Sequence, residues 1–251
     1  RTIYKTMERI GARYTDVLVT INEEDYRAAQ TFHLKVGGQV VLIPGVGVDL
    51  EAVAAARTSR KSVRRELNLA ADDFVLMSMG DLNANKNHLF VMESLLAAFQ
   101  EDSRLHYVLC GKGPLEPVYR KFIAEHGLEE QIRLLGYRSD VLHLLYGMDV
   151  YLSPSLREGL PVSVMQAMAA GIPVVASRVR GNRDLIVHEK NGLLYSVKDR
   201  AALVQAIERL RNDADQTARL IGQARADVRK YSADTVDPML LSLYAHFRKT
   251  L

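Results

Sequence analysis

The chain has 251 residues, 48% hydrophobic and 25% charged, enough for one large domain or two small ones with a packed core. Its 33 basic and 30 acidic residues leave a net charge of +3 spread along the sequence, which gives no footprint for nucleic acid or for an anionic membrane. A single cysteine excludes an internal disulfide and suits a reducing cytoplasm; no apolar run approaches the roughly 20 residues that cross a bilayer, no secretory signal pattern is present, and His and Cys do not cluster at metal-ligand spacing.

Residues 1–15 carry apolar side chains at helical spacing (Ile3, Met7, Ile10, Tyr14). Asp16–Ile21 reads as a strand, and Asn22 as the N-cap of a helix with Asp25 in a capping-box-like place. Val40–Pro44 reads as a second strand. This start is too small to bury both faces of a sheet, so residues 1–44 read as the remnant of a larger domain. Residues 45–72 read as a linker and helical connection, with Asp49 in a turn. From Asp73 strands and helices alternate. Strands are expected at Phe74–Met79, His106–Cys110, Ile132–Leu135, Val150–Ser153, Pro173–Ala176 and Leu193–Val197. Between them helices are expected near 87–99, 116–125, 140–146, 161–170 and 182–186. After Lys198 the chain reads as helical near 199–212, 215–229 and 233–250, with Pro238 in the first turn of the last helix or at a kink. The pattern predicts an α/β fold: a Rossmann-like parallel sheet over residues 73–233 with helices on both faces, and a C-terminal helix over 234–251. Ligands of such sheets bind at the carboxyl ends of the strands, so the segments after Met79, Cys110, Leu135 and Ser153 should line one crevice.

The stretch from Ser153 to Gly171 is the most informative. Glu158-Gly159-Leu160-Pro161 joins a strand to a helix that ends at Gly171. Such a loop opens onto a helix N-terminus, where unpaired N–H groups and the dipole favour an anion. Glu158 stands at its mouth, and Gln166 follows eight residues later. A ligand with phosphate at one end and hydroxyls on either side, such as a nucleotide-sugar, would fit. Taken alone, Glu158 reads equally as a surface group compatible with the dipole. The other loops are Gly80-Asp81-Leu82-Asn83-Ala84-Asn85-Lys86-Asn87, Gly111-Lys112-Gly113-Pro114 and Gly136-Tyr137-Arg138-Ser139-Asp140. Lys86 can reach a phosphate as a point charge or be a solvated lysine. Gly111 and Gly113 permit close approach of a ligand or make a plain turn; Glu116 stands where a dinucleotide fingerprint needs its third glycine. Ser139 or Asp140 can cap the following helix.

In order, these four loops resemble the retaining glycosyltransferases of GT-B fold, the group 1 family, over about residues 16–197. The family signature has two glutamates around an E-G-F/L-P loop; the first matches Glu158 and the second position is Gln166. The family's G-R-L followed by lysine matches Gly80, Leu82 and Lys86, with Asp81 in place of the arginine. The resemblance implies one half of a GT-B fold, a donor-binding domain over 73–233 beside a truncated N-terminal acceptor domain. It implies transfer of a sugar from a nucleotide diphosphate, by family weight UDP, to a glycan or lipid-linked acceptor. Glu158 would bind sugar hydroxyls and Lys86 the diphosphate. Gly80, Asn83, Gly111, Gly113, Tyr137, Arg138, Ser155, Arg157, Gly159, Leu160, Pro161 and Gln166 would contact donor, with backbone at Tyr137 and Arg138 reading the base. No metal or other cofactor is implied, nor nucleic acid, and the setting is the cytoplasm or the inner face of a membrane. The isolated chain is expected to be inactive. Alternatives are a non-catalytic nucleotide-sugar binding module, or an epimerase or phosphorylase of the same fold.

Overall fold

In the computed structural model, which describes residues 2–248, the chain divides into two packing units. One holds residues up to Val48 and those from Lys230 onward; the other is Asp49–Arg229. The first contains α1 (Thr2–Ala12), β1 (Val17–Thr20), α2 (Glu23–Ala29) and β2 (Gln39–Leu42). β1 and β2 pair in parallel from Val17 with Gln39 to Thr20 with Leu42. Asn22 caps α2 as expected: its Oδ1 accepts from the Asp25 N–H and its amide donates to the Asp25 carboxylate, both at 2.8 Å. The two chain segments of this unit are stitched at Val48, whose N–H donates to the Tyr231 carbonyl (2.8 Å) and whose carbonyl accepts from Ala233 (2.9 Å).

The second unit begins with α3 (Leu50–Ala55) and α4 (Arg60–Glu66). Then come β3 (Phe74–Met79), α5 (His88–Ser94), α6 (Leu96–Glu101), β4 (Leu105–Cys110), α7 (Glu116–His126), β5 (Ile132–Leu134), α8 (Val141–Leu145) and β6 (Val150–Ser153). After these follow α9 (Val162–Ala170), β7 (Val174–Ser177), α10 (Arg180–Leu185), β8 (Leu193–Tyr195), α11 (Arg200–Asn212) and α12 (Ala214–Val228). α13 (Ala233–Arg248) returns to the first unit; residues 249 and 250 of the helix expected there lie outside the described residues. Pro238 falls inside α13, beyond its first turn, where it cannot donate to the carbonyl four residues back.

Six parallel strands form one sheet in the order β5-β4-β3-β6-β7-β8. Every residue of β4, β6, β7 and β8 is buried, as a sheet covered on both faces requires. Leu76, Tyr107, Leu109, Leu152, Val175 and Leu193 alternate onto one face and pack with α5, α6, α7 and α11. On the other face α9 contacts β6 and β7, and α3, α8 and α12 gather around α9. The expected strands are present to within two residues at each end. The helix expected over 87–99 is interrupted at Leu95, where the Ser94 hydroxyl donates back to the Phe90 carbonyl, a bond that competes with the regular helix. Cys110 is the expected core thiol; burial pushes it up to about 12, so it carries no thiolate.

α4 is fastened to this unit by a buried cation. Arg64 donates to Asp149 (2.7 Å) and to the carbonyls of Gly147 (3.1 Å), Ala70 and Ala71 (both 2.8 Å). Asp149 also pairs with Arg60 and accepts the Val75 N–H at 2.8 Å. A buried arginine is tolerable because its donors are matched.

Candidate functional site

Chain direction along the sheet reverses between β3 and β6: β4 and β5 lie on one side of β3, and β6 to β8 on the other. At such a switch point the loops leaving the two central strands part, and a crevice opens at their carboxyl ends. The loops there are 80–87, after β3, and 154–161, after β6. Lys86 and Glu158, the principal candidates, lie on these two loops.

The structure brings them together. Lys86 Nζ donates to Glu158 Oε1 at 2.8 Å, with the side chains 23% and 12% exposed, so the pair is largely shielded from bulk water. Asparagines set its geometry. Asn83 accepts the Lys86 N–H on both its carbonyl (3.2 Å) and its Oδ1 (3.0 Å), which folds the loop into a tight turn. Asn85 donates to the Arg157 carbonyl (3.0 Å) and accepts the Leu156 N–H on its own carbonyl (2.7 Å). Asn87, in the left-handed conformation that asparagine tolerates, donates to the Pro154 carbonyl at 3.2 Å. Four hydrogen bonds thus clamp the β3 loop to the β6 loop. Asn85 and Asn87 were not singled out beforehand; the signal was the asparagine at every second position around Lys86.

The far side of the β6 loop is held equally closely. Gly181 donates to the Glu158 carbonyl at 3.3 Å, and a Cβ at Gly181 would stand 2.4 Å from the Gly159 carbonyl oxygen, so only glycine fits. Below lies a buried polar cluster: Asn182 donates to the carbonyls of Ser177 (2.9 Å) and Ser153 (3.4 Å), and Ser177 Oγ to the carbonyl of Ser155. Gly181 and Asn182 therefore shape the loop that carries Glu158, a contact that forms only once β7 and α10 lie beside it. Ser155 is buried, Arg157 and Gly159 are exposed, and Leu160 is half-buried. Pro161 is the N-cap of α9, not its first helical residue, because its ψ of 112° is extended. No side chain caps α9 at this end, which leaves its first N–H groups without a side-chain partner. Gln166 is half-buried on α9.

The β4 and β5 loops form the rest of the rim. Gly111 donates to the Gly136 carbonyl at 2.8 Å, and a Cβ on it would come within 1.8 Å of the Gly80 carbonyl oxygen. Leu82 donates to the Lys112 carbonyl (3.0 Å) and accepts from Leu115 (2.9 Å), and Gly113 packs on Leu82. Gly80, Gly111, Gly113 and Gly136 thus bring three loops edge to edge. Tyr137 is 74% exposed. Asp140 is the N-cap of α8, but its carboxylate does not cap; both oxygens take the Arg138 guanidinium, at 2.7 and 2.6 Å. Asp81 is exposed.

Behind Lys86 runs a buried chain of fixed polarity. Ser78 Oγ donates to the Leu152 carbonyl, so it accepts from Tyr107 OH, which in turn accepts from His88 Nδ1, at 2.8, 2.8 and 3.2 Å. The Nδ1–H tautomer follows from this order. His88 Nε2 is buried without a partner. Burial, and then Lys86, push this imidazole down to about 3, so it is neutral. Among the described residues no group of three His, Cys, Asp or Glu is placed to hold a metal ion, and no helix is long and apolar enough to cross a membrane.

The parallel sheet is of the Rossmann type, with Lys86 and Glu158 paired at its switch point. Residues 59–227 match the family described as glycosyl transferases group 1, and the chain belongs to that family. It is 32% identical over 239 residues to a putative glycosyltransferase, EpsD, of Bacillus subtilis, covering 94% of this chain and 62% of that protein. It is 28% identical over 218 residues to an Escherichia coli UDP-Gal:alpha-D-GlcNAc-diphosphoundecaprenol alpha-1,3-galactosyltransferase, covering 85% of this chain and 56% of that one. The chain therefore spans about three-fifths of the length of these relatives. In fold it is similar to Anabaena HepE, crystallised with UDP-glucose, at a TM-score of 0.81 and 21% identity, covering 96% of this chain and 68% of HepE. A sucrose-phosphate synthase of Thermosynechococcus elongatus also scores 0.81, at 22% identity, covering all of this chain and 63% of the synthase.

Proposed function

We propose that this chain is the donor-binding part of a sugar transferase that takes a hexose from a UDP-sugar to a glycan or lipid-linked acceptor, with retention at the anomeric carbon. The observation that carries the reading is the Lys86–Glu158 pair across the switch point. In the donor complex Lys86 turns to the diphosphate and Glu158 accepts from sugar hydroxyls, each group exchanging the other for its ligand. The bond from the anomeric carbon to the diphosphate breaks and its electron pair leaves with UDP, while the acceptor hydroxyl oxygen bonds the anomeric carbon and gives its proton to the departing diphosphate. Lys86 and the N–H groups of Gly159, Leu160 and the first turn of α9 stabilise that charge, electrostatic work that needs no metal ion. Tyr137 and the backbone beyond Gly136 meet the base, and Gln166 the ribose. The E. coli relative uses UDP-Gal, and HepE was crystallised with UDP-glucose; both support a uridine donor. The bacterial relatives include a putative colanic acid biosynthesis glycosyltransferase of Escherichia coli, which supports a polysaccharide as product.

A second reading, a nucleotide-sugar binding module without catalysis, draws on Asp81 and Gln166, which stand where the family signature has an arginine and a glutamate. Calorimetric titration with UDP, UDP-GlcNAc, UDP-glucose and GDP-mannose, with and without magnesium, tests the donor site common to both. Saturable, magnesium-independent binding of a uridine nucleotide, lost in Glu158→Ala and Lys86→Ala, is the expected result. Folded protein that binds none of the four would refute it.

A further inference from the structure

The loop from Gly136 to Asp140 carries the exposed Tyr137, and the arginine beside it is tied through its Nε and Nη2 groups. Arg138 Nε and Nη2 meet the two oxygens of Asp140 at 2.7 and 2.6 Å, and Nη2 also meets Glu66 Oε1 at 2.6 Å. The other Glu66 oxygen lies 3.1 Å from His143 Nε2. Arg138 and Asp140 are two residues apart, so their pairing stiffens the loop internally without fixing its place. Glu66 lies on α4, outside every motif of the four loops. Through its two oxygens it holds the loop at Arg138 and the first turns of α8 at His143. Its own position is firm, because α4 is anchored by Arg64, buried two residues earlier. The opposite end of the loop is pinned where Gly136 accepts from Gly111. The guanidinium holds both the Glu66 and the Asp140 carboxyls below the usual carboxylate range, so both are ionised at neutral pH.

We propose that Glu66 is a positioning residue for nucleobase selection: with Arg138 it sets the height of the Tyr137 loop above the crevice, while the Arg138 side chain itself does not meet the ligand. The inference rests on the donor reading above, in which this loop faces the base. A loop held at both ends accepts one base edge at the correct distance; released from α4, it accommodates several. Selectivity among bases, more than affinity for any one, is therefore what Glu66 controls.

The test titrates the wild-type chain, Glu66→Gln and Arg138→Lys with UDP, CDP, ADP and GDP, alongside their melting temperatures. The expected result is that the ratio of the tightest to the weakest affinity narrows about fivefold in each single variant, the equilibrium weight of one partly exposed ion pair. The double variant should narrow it no further, because both changes break the same link. Equal weakening of all four nucleotides, or no change in any, overturns the proposal; Arg138→Lys keeps the question decidable if Glu66→Gln fails to fold. Wild-type protein that binds none of the four removes the donor reading, and this proposal with it.

Discussion

At position 166 a glutamine stands where the family signature has a glutamate, as at position 81 an aspartate stands where it has an arginine. A carboxylate facing two ribose hydroxyls accepts charge-assisted bonds about twice as strong as those of an amide. Gln166→Glu should therefore tighten UDP binding by roughly 1–2 kcal/mol, about tenfold, in calorimetry. Equal affinities would mean that this side chain does not meet the ribose. Gly111 makes the complementary point about exclusion. With the Gly80 carbonyl 1.8 Å from where a Cβ would sit, Gly111→Ala must push the β3 and β4 loops apart. The expected cost is about 1–3 kcal/mol or more in urea unfolding, with loss of nucleotide binding, because Lys86 rides on the displaced loop.

Among elements, α5 shows how a buried group gives the fold a pH dependence. His88 opens this helix two residues after Lys86, and its ring is neutral, with its folded value near 3 against about 6.5 when unfolded. Between those values the unfolded chain binds a proton that the native state refuses. The contribution is thus fully present above pH 6.5 and is lost as pH falls from there towards 3. From pH 7 to pH 5 the loss is on the order of 2 kcal/mol. Chemical denaturation of the wild type against His88→Gln reads it: the variant should be less stable at pH 7 yet show a flatter decline on the acid side. Parallel pH profiles would place the titration elsewhere, for instance at His106 or His188, which burial also pushes down.

For the whole molecule, the determining fact is that the chain spans about three-fifths of its relatives. Transfer requires donor and acceptor held together, and positioning of that kind supplies many orders of magnitude in rate. We propose that this chain binds donor without turning it over. Radiolabelled UDP-sugar incubated with lipid-linked or glycan acceptors should give no product above background. Steady turnover by this chain alone would show that it holds the acceptor groups as well.

Alternating apolar runs and helical spacings are local properties, which is why the six strands, their order along the chain and the helices between them were legible from residues alone. So was the capping of α2 by Asn22, which depends on residues three apart. The ordered loops likewise carried the family and the pair Lys86 and Glu158, since each lies where a strand ends. What pairing those two residues make was not legible, because they are 72 positions apart and meet only once β6 lies beside β3. The Asn85 and Asn87 clamp, the forced glycine at 181, the buried His88–Tyr107–Ser78 chain and the bond from Glu66 to Arg138 share that character. Each joins segments distant in sequence, and packing fixes their separation to within a hydrogen-bond length. Sequence by itself determined the class of fold and which polar residues stand at the strand ends; tertiary structure decided which of those groups touch, because only chain crossings bring distant polar atoms within bonding range.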